Sequence, residues 1–487
     1  MEKSNNRVLN ELLVNLFHNV MDAEAKAVIT EEFKDITNND MHILEAIGIE
    51  EPKSMSRIAG ELHVTVGTLT TNMNSLEKKG YLERNRSTQD KRVVLVEPEA
   101  DCPMARQIDP DGFFSDVQID IARPGEAVRI INIMDVMQPR CKESDAESPY
   151  PGMFSSMQLA GTGRTYVLQG VSVMQTGRRQ GIQEGIIDMS GPGAAYSLFS
   201  SLCNVVLRCT PADPNASNSD FDAATRKSLL AAALYLGKTA RGQQPGSVRT
   251  FSTDTPVDPH LRKVVYIYYL QSQGPLRNTF LYGKDVTSLL PTLLHPNEVM
   301  DGAIVSGNYI IACQKNPTYL HLNNPVIREL YARHGKTLDF AGVVIANEHS
   351  TLFDKRRTAE FAAKLARQIG AEGVVMTQEG GGHADSDLMF CTRACAAQGI
   401  PSVMLINELA GPEGDQPSLV DTTPLARHVV STGNNDQVID LPGMTTVLGG
   451  DCLLRVPDAS RPFSTALGRM YTATNQLGAY RLSATAF

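Results

Sequence analysis

Nowhere in its 487 positions does the chain hold an uninterrupted apolar run of about 18 residues, the length a membrane-crossing helix needs. The start, MEKSNNRVLNE, lacks the apolar core of a secretory signal, so the expected compartment is the cytoplasm and no membrane partner is expected. Missing too is any CxxC pair. The eight cysteines are scattered, a usage that fits free thiols in a reducing compartment better than a disulfide framework. Positive charge is in deficit: 45 Lys and Arg against 54 Asp and Glu leave a net charge of -9. That argues against a wholesale nucleic-acid binder while leaving room for local basic patches. The remaining balance, 42% hydrophobic and 20% charged, is that of a soluble globular protein, and the length implies about two to four domains.

The first hundred residues read as helical. Leu9, Leu12, Leu13, Leu16 and Phe17 form a 3.6-period stripe over Val8 to Val20. Ser54-Met55-Ser56 then caps a short helix through Leu62, His63-Val64-Thr65 turn the chain, and a second helix runs from about Gly67 to Lys79, ended by Gly80. On it Leu69, Met73 and Leu76 recur at i, i+4 and i+7, which buries one face and turns Thr68, Thr71, Asn72 and Ser75 outward. Tyr81 to Arg84, a polar tip through Asp90, and Arg92 to Val96 read as a two-stranded wing. This constellation resembles the winged helix of MarR-type repressors, which implies DNA binding through residues 54–96. Thr68, Thr71 and Asn72 would face base edges, and Lys78, Arg86, Lys91 and Arg92, with Lys79 and Arg84, would seek phosphates. The blander alternative is a solvated basic face on an architectural helix pair. MarR-type proteins continue past the wing into dimerisation helices, whereas here PEADCPMARQIDPDG follows. The rest of the chain would therefore have to supply the second copy, and a homo-oligomer is expected.

Beyond this module, assigned to residues 1–98, a linker over 99–112 leads to a β-rich domain over 113–260. Alternation in DVQIDIA and VRIINIMDV, with glycine breaks in AGTGRTYVLQG and QTGRRQGIQEG, predicts short antiparallel strands and hairpins. A helix is predicted from about Phe221 to Gly237. An α/β domain over 261–450 and a C-terminal extension over 451–487 complete a multidomain chain: all-α with a wing, then β-rich, then α/β with a mostly parallel sheet.

Three strands in the α/β part end alike. Val343 to Ala346 lead into Asn347-Glu348, Val374 to Thr377 into Gln378-Glu379, and Val403 to Ile406 into Asn407-Glu408. Ala303 to Val305 and Val429 to Val430 are read as two further strands of the same kind, with helices between, one bearing Phe361, Ala362, Leu365, Ala366 and Ile369 on one face. Fully apolar strands separated by helices imply a parallel sheet, whose carboxyl ends open onto a common crevice. Glu348, Glu379 and Glu408 are thus candidate catalytic residues and Asn347, Gln378 and Asn407 substrate-binding ones. Convergent carboxylates raise one another's pKa values and suit an amine substrate, a divalent metal or acid/base work; no metal ligand set is assigned. The alternative is that they cap helices or pair with Arg and Lys. Gly381 and His383, in the turn Gly380-Gly381-Gly382-His383, are candidates for cradling a carboxylate, with Asp385 as an N-cap. Cys391 and Cys395, at i and i+4, read as buried small residues or as a redox or metal pair.

From Val299 to Pro325 the chain reads VMDGAIVSGNYIIACQKNPTYLHLNNP. This stretch, with RPGE at Arg123, EGIIDMSGPGA at Glu184, YARHGK at Tyr331, QEG at Gln378 and TNQLG near the end, resembles the glycine/sarcosine/betaine reductase component B precursor family over about 108–487. The resemblance implies a subunit that works beside a selenocysteine-type partner in reductively removing the amino group of glycine or a related amine. It also implies a processing site: in that family an Asn-Cys bond follows the Ser-Gly pair, the thiol attacks the preceding carbonyl, and elimination with hydrolysis leaves an N-terminal pyruvoyl group. Here the bond is Asn308-Tyr309. A phenol at the far end of a rigid ring cannot close the five-membered intermediate, and the tyrosine β-carbon bears no leaving group, so self-cleavage is expected to fail and no pyruvoyl cofactor is expected. Cys313 corresponds to a second cysteine of the family pattern and is a weak substitute. The expected function is a non-processed component B-like subunit binding a small amino acid or amine, fused to a DNA-binding module. The alternatives are a transcription regulator with the large part as sensor and dimeriser, and an active reductase subunit using another electrophile.

Overall fold

A computed structural model describes residues 37–479 apart from 48–52, 63, 87–93, 99–107, 110, 145–149, 154–156, 179–181, 255–256, 273–277 and 308–314. The helix expected over Val8 to Val20, the wing residues Lys91 and Arg92, the Asn308-Tyr309 bond and Cys313 lie outside the described residues.

The N-terminal module forms as its capping residues dictate. Helix α1 (Asn38–Ile47), absent from the sequence reading, precedes α2 (Met55–Glu61), where the Ser54 side chain accepts from Arg57 N, and α3 (Val66–Lys78), where Thr65 accepts from Thr68 N. Gly80, at φ 79°, supplies the left-handed residue that stops α3. Leu69, Met73 and Leu76 are buried against Ile43, Ile47 and Ile58, each worth about 1.5–3 kcal/mol of transfer free energy. β1 (Lys53–Ser54), β2 (Leu82–Arg86) and β3 (Val94–Pro98) form an antiparallel sheet in the order β1-β3-β2, the expected wing with an extra short strand.

The β-rich part is a six-stranded sheet. β4 (Phe114–Ala122), β10 (Cys203–Pro211), β8 (Val171–Thr176), β5 (Val128–Met137) and β21 (Thr446–Leu448) lie side by side, with β9 (Gly185–Asp188) also on β5. A small hairpin of β6 (Arg140–Lys142) and β7 (Thr165–Val167) stands apart. The expected antiparallel pairing is present in β4–β10, β5–β8, β5–β9 and β6–β7, but β10 runs parallel to β8 and β21 parallel to β5. β21 comes from more than 300 residues downstream, a partner that no local pattern encodes. Helix α4 (Asn218–Lys238) covers this sheet, burying Leu229, Leu230 and Ala233 against Met137, Val173 and Leu207.

The second six-stranded sheet has the order β14-β16-β11-β17-β18-β19, from β14 (Thr292–Leu294), β16 (Asp339–Asn347), β11 (Lys263–Leu270), β17 (Gly373–Thr377), β18 (Ser402–Glu408) and β19 (Val429–Asn434). All neighbours are parallel except β14. Two-residue β15 (Ile304–Val305) is not in it: it pairs with β12 (Phe280–Leu281), which also pairs with β13 (Lys284–Asp285), correcting its expected place in the parallel sheet. Of three short helices, α5 (Pro296–Met300) lies between β14 and β15, and α6 (Thr318–Leu322) and α7 (Pro325–Arg333) come after β15. Helices α8 (Leu352–Gln368) and α9 (Asp385–Ala397) pack on one face through Ala359, Ala362, Ala363 and Ala366 against Leu388, Cys391 and Cys395. The alanine stripe permits close approach, and Phe361 is turned to solvent beside Lys364 instead of inward. Cys391 and Cys395 are buried free thiols in this core. β20 (Val438–Leu441) and β22 (Phe463–Ala466) pair antiparallel, with β21 between them in the chain. No described helix is long and apolar enough to cross a membrane.

Candidate functional site

The carboxyl ends of β11, β16 and β17 bring Gln271, Glu348 and Glu379 together. β11 lies between the two glutamate strands, and its KVVYIYYL sequence is apolar on both faces because both are covered. Glu379 is fully buried. Its Oε2 accepts from Gln271 N at 2.7 Å and its Oε1 from Asn316 N at 2.8 Å. Glu348, also buried, accepts from Glu379 N through Oε1 at 3.1 Å. Burial pushes the Glu379 carboxyl up to about 7, against the opposing charge of Lys315 and the two amide donors. Glu348 is pushed well above the usual carboxylate range by burial, with repulsion from Asp387 and Glu379 added. Both carboxyls are thus pushed toward the neutral form, Glu348 by like charges as well as burial, and Glu379 to about 7 against an opposing cation. Paired carboxyls with separated affinities are the arrangement acid/base chemistry needs.

Around them stands a second set of buried groups. Lys315 is held down to about 8 by burial, opposed by Glu379. His321 is held down to about 3 by burial and by the Lys315 charge, so its ring is neutral; Nδ1 meets the Tyr268 hydroxyl at 2.9 Å and Nε2 stands 3.7 Å from Glu379 Oε1. Tyr268 also accepts from Asn316 Nδ2 at 3.0 Å. Nearer the Ser306-Gly307 pair, Asp135 on β5 accepts from Thr318 N at 2.9 Å and from Thr318 Oγ1 at 2.7 Å, while Thr318 Oγ1 accepts from Ser306 N at 2.9 Å. Burial raises Asp135 to about 7. None of Asp135, Arg226, Lys315, His321 or Tyr268 was a candidate from sequence. The one local signal was the position of Lys315 and His321 inside the quoted VMDG…NNP stretch.

The other expected residues are placed as follows. Glu408 is half-buried and turned aside: its carboxylate accepts from Ser418 Oγ at 3.0 Å and from Ser431 Oγ, so it does not join the other two glutamates through any described contact. Asn347 donates to the Val286 and Thr287 carbonyls at 2.9 and 3.0 Å, tying β16 to the loop beyond β13. Gln378 donates to Asp385 Oδ1 at 2.8 Å and to the Gly380 carbonyl at 3.1 Å. Asn407 Oδ1 lies beside Gly381, where an added Cβ would stand 3.0 Å from it. His383 is exposed, and its carbonyl accepts from Lys355, which is paired with Asp387. Asp385 is the first residue of α9 rather than its cap, and its Oδ2 accepts from Val420 N at 2.9 Å.

On the winged helix Thr68, Thr71 and Lys78 are exposed and Asn72 half-buried, all on α3. Arg86 pairs with Val94 in the wing. Two of the surrounding cations are engaged internally: Arg84 donates to Glu77 and to Asn74 Oδ1 at 2.7 Å, and Lys79 lies 3.2 Å from Asp40.

The profile of glycine/sarcosine/betaine reductase component B subunits matches residues 84–461. The chain belongs to the glycine/sarcosine/betaine reductase component B family. A MarR family profile matches residues 36–94, so the component B body is fused to a MarR-type module. Among its relatives, "Glycine reductase complex component B subunits alpha and beta" of Acetoanaerobium sticklandii is 42% identical over 348 residues, covering 70% of this chain and 81% of that protein. "Sarcosine reductase complex component B subunit alpha" of Peptoclostridium acidaminophilum is 39% identical over 369 residues, 75% of this chain and 85% of that protein. The N-terminal part is similar to "HTH-type transcriptional regulator SarZ" of Staphylococcus saprophyticus, 36% identical over 62 residues, 13% of this chain and 42% of that protein.

Proposed function

We propose that the component B body binds a small amino acid or N-methylated amine beside Glu379 and Glu348 and remains unprocessed. The observation that carries this is the buried Glu379 carboxyl, held by two backbone amides, with the buried Glu348 accepting from the Glu379 N–H. A buried anion of this kind attracts a cationic head, as its relatives' names, glycine, sarcosine and betaine reductase subunits, suggest. The family's pyruvoyl group does not fit: position 309 would have to supply a β-thiol, and it supplies a tyrosine. The partners proposed are a selenocysteine-type reductase subunit and a second copy of this chain.

Betaine, whose charge does not titrate, gives the clean test by calorimetry. Glu379 is protonated below about 7 and anionic above it, and Lys315 sheds its charge near about 8. Affinity should therefore fall by up to about tenfold per pH unit below about pH 7, and rise again as Lys315 neutralises. Glu379→Gln should bind weakly and without the step near pH 7. Equal betaine affinity in the two proteins, with the same pH profile, would sink the reading.

A second reading, a ligand-sensing transcription regulator, is favoured by one contact: Tyr235, near the end of α4, packs against the core of the winged helix. Helix α4 thus touches both parts of the chain. Gel-shift titrations at several salt concentrations should give sequence-preferring binding, with the salt slope reduced by about one in Lys78→Ala. Betaine should shift that binding in the native chain and not in Tyr235→Ala. No DNA binding even at low salt removes this reading.

A further inference from the structure

Arg226 sits in the middle of α4, 5% exposed, between Thr225 and Lys227. Its guanidinium lies over the Phe280 ring, 4.7 Å from the centroid, and both Nε and Nη2 lack a hydrogen-bond partner. Among the described residues it is the one arginine with both atoms buried and without a hydrogen-bond partner. These two N–H groups form the side-on fork that takes a carboxylate with two parallel bonds. The same chain demonstrates that use: Arg129 donates from Nε to Asp188 Oδ1 at 2.6 Å and from Nη2 to Asp188 Oδ2 at 2.8 Å. In Arg226 the fork is built and no protein carboxylate fills it. Gly307 guards its mouth, since a Cβ there would stand 2.9 Å from Nη2 and 3.2 Å from Nε.

A buried guanidinium stays charged and costs several kcal/mol to desolvate when its hydrogen bonds are unmade. A purely structural residue at this position would be better as methionine or leucine. The surroundings also choose among anions. Asp135, Asp222 and Asp285 all act electrostatically on Arg226 and keep it charged, so each further negative charge on a ligand meets more repulsion and a monocarboxylate meets the least. Lys315 lies within electrostatic reach of both Arg226 and Glu379, which puts the fork and the buried glutamate in one neighbourhood.

We propose that Arg226 is the carboxylate-binding residue of this site, gripping one planar monocarboxylate by Nε and Nη2, with Gly307 keeping the fork open. Resting on the reading above, the ligand is a zwitterion: its ammonium end meets Glu379 and its carboxylate end meets Arg226.

The test is calorimetry on the full chain with acetate, betaine, glycine and, as a cation without a carboxylate, tetramethylammonium. Native protein should bind acetate and betaine. Arg226→Met should lose about hundredfold or more for both, the worth of two charge-assisted hydrogen bonds, with tetramethylammonium affinity unchanged and the thermal midpoint kept or raised. Gly307→Ala should lose acetate with the guanidinium still present, which separates a blocked fork from a misfolded one. Acetate and betaine bound equally by native, Arg226→Met and Gly307→Ala proteins overturn the inference. Betaine binding that depends on Glu379 but not on Arg226 also overturns it, and leaves the amine-binding reading standing. Arg226-dependent acetate binding with no amine bound at all supports the fork and removes that reading instead.

Discussion

Replacing Tyr309 with cysteine is expected to convert one uncut polypeptide into two, divided after Asn308. The requirement for the first step is a nucleophile on the β-carbon of residue 309, one bond from the α-carbon, so that attack on the Asn308 carbonyl closes a five-membered ring. The second requirement is that the same atom can leave from the β-carbon. Sulfur meets both; a phenol across a ring meets neither. On the described side of the bond, the approach is anchored by Ser306, Gly307 and Thr318. Ser306 is fixed by its N–H to Thr318 Oγ1, Thr318 by two bonds to Asp135, and Gly307 passes Arg226 so closely that a Cβ would press on Nη2 at 2.9 Å. Restoring the thiol alone should therefore suffice. Denaturing electrophoresis with a carbonyl-reactive hydrazide reads the result: the native chain runs as one unlabelled band, and Tyr309→Cys gives two fragments with label on the C-terminal one. A native chain already cut and labelled would refute the non-processing reading. An intact Tyr309→Cys chain would mean that more than the thiol has been lost.

What could be read from sequence was whatever is encoded within a few residues. Ser54, Thr65 and Gly80 bound their helices through bonds three or four positions away, and the winged helix followed from them. The apolar strands of the parallel sheet were legible for the same reason. Their order was not: nothing local says that Lys263–Leu270 slides between the strands of Glu348 and Glu379, or that Ser418 and Ser431 claim Glu408. Ile304–Val305, only two residues long, carries too little pattern to name its sheet. Arg226 was invisible because its meaning lies in Phe280 and Gly307, both more than fifty positions away. A buried arginine inside an alanine-rich helix looks, in sequence, like the exposed face of that helix.

The EGIIDMSGPGA motif shows the converse, a family-like string whose visible role is architectural. Asp188 takes the Arg129 fork at 0% exposure on both sides, and Arg129 also donates to the Ala459 carbonyl at 2.8 Å and the Pro442 carbonyl at 2.8 Å. Glu184 accepts from Leu454 N at 2.7 Å and pairs with Arg469 at 3.1 Å. A Cβ on Gly193 would stand 2.4 Å from Asp188 Oδ2, which explains the glycine of the motif. One motif thus pins the C-terminal 440–470 segment to the sheet that β21 completes. Arg129→Met should cost about 3–5 kcal/mol of stability, because it strands a buried carboxylate and frees two carbonyls at once. Burial already raises Asp188 against the pull of Arg129, so without that cation its pKa must climb further. The sign follows: a carboxyl with a raised folded pKa destabilises above that pKa and ceases to do so as pH falls through it. The deficit of Arg129→Met should therefore shrink toward acid pH, and Arg129→Met combined with Asp188→Leu should recover part of the loss at neutral pH. Urea midpoints for the native chain and the two variants at two pH values measure all of this. A single-variant loss under about 1 kcal/mol, or a deficit that grows in acid, would mean that the pair does not hold the C-terminal segment in place.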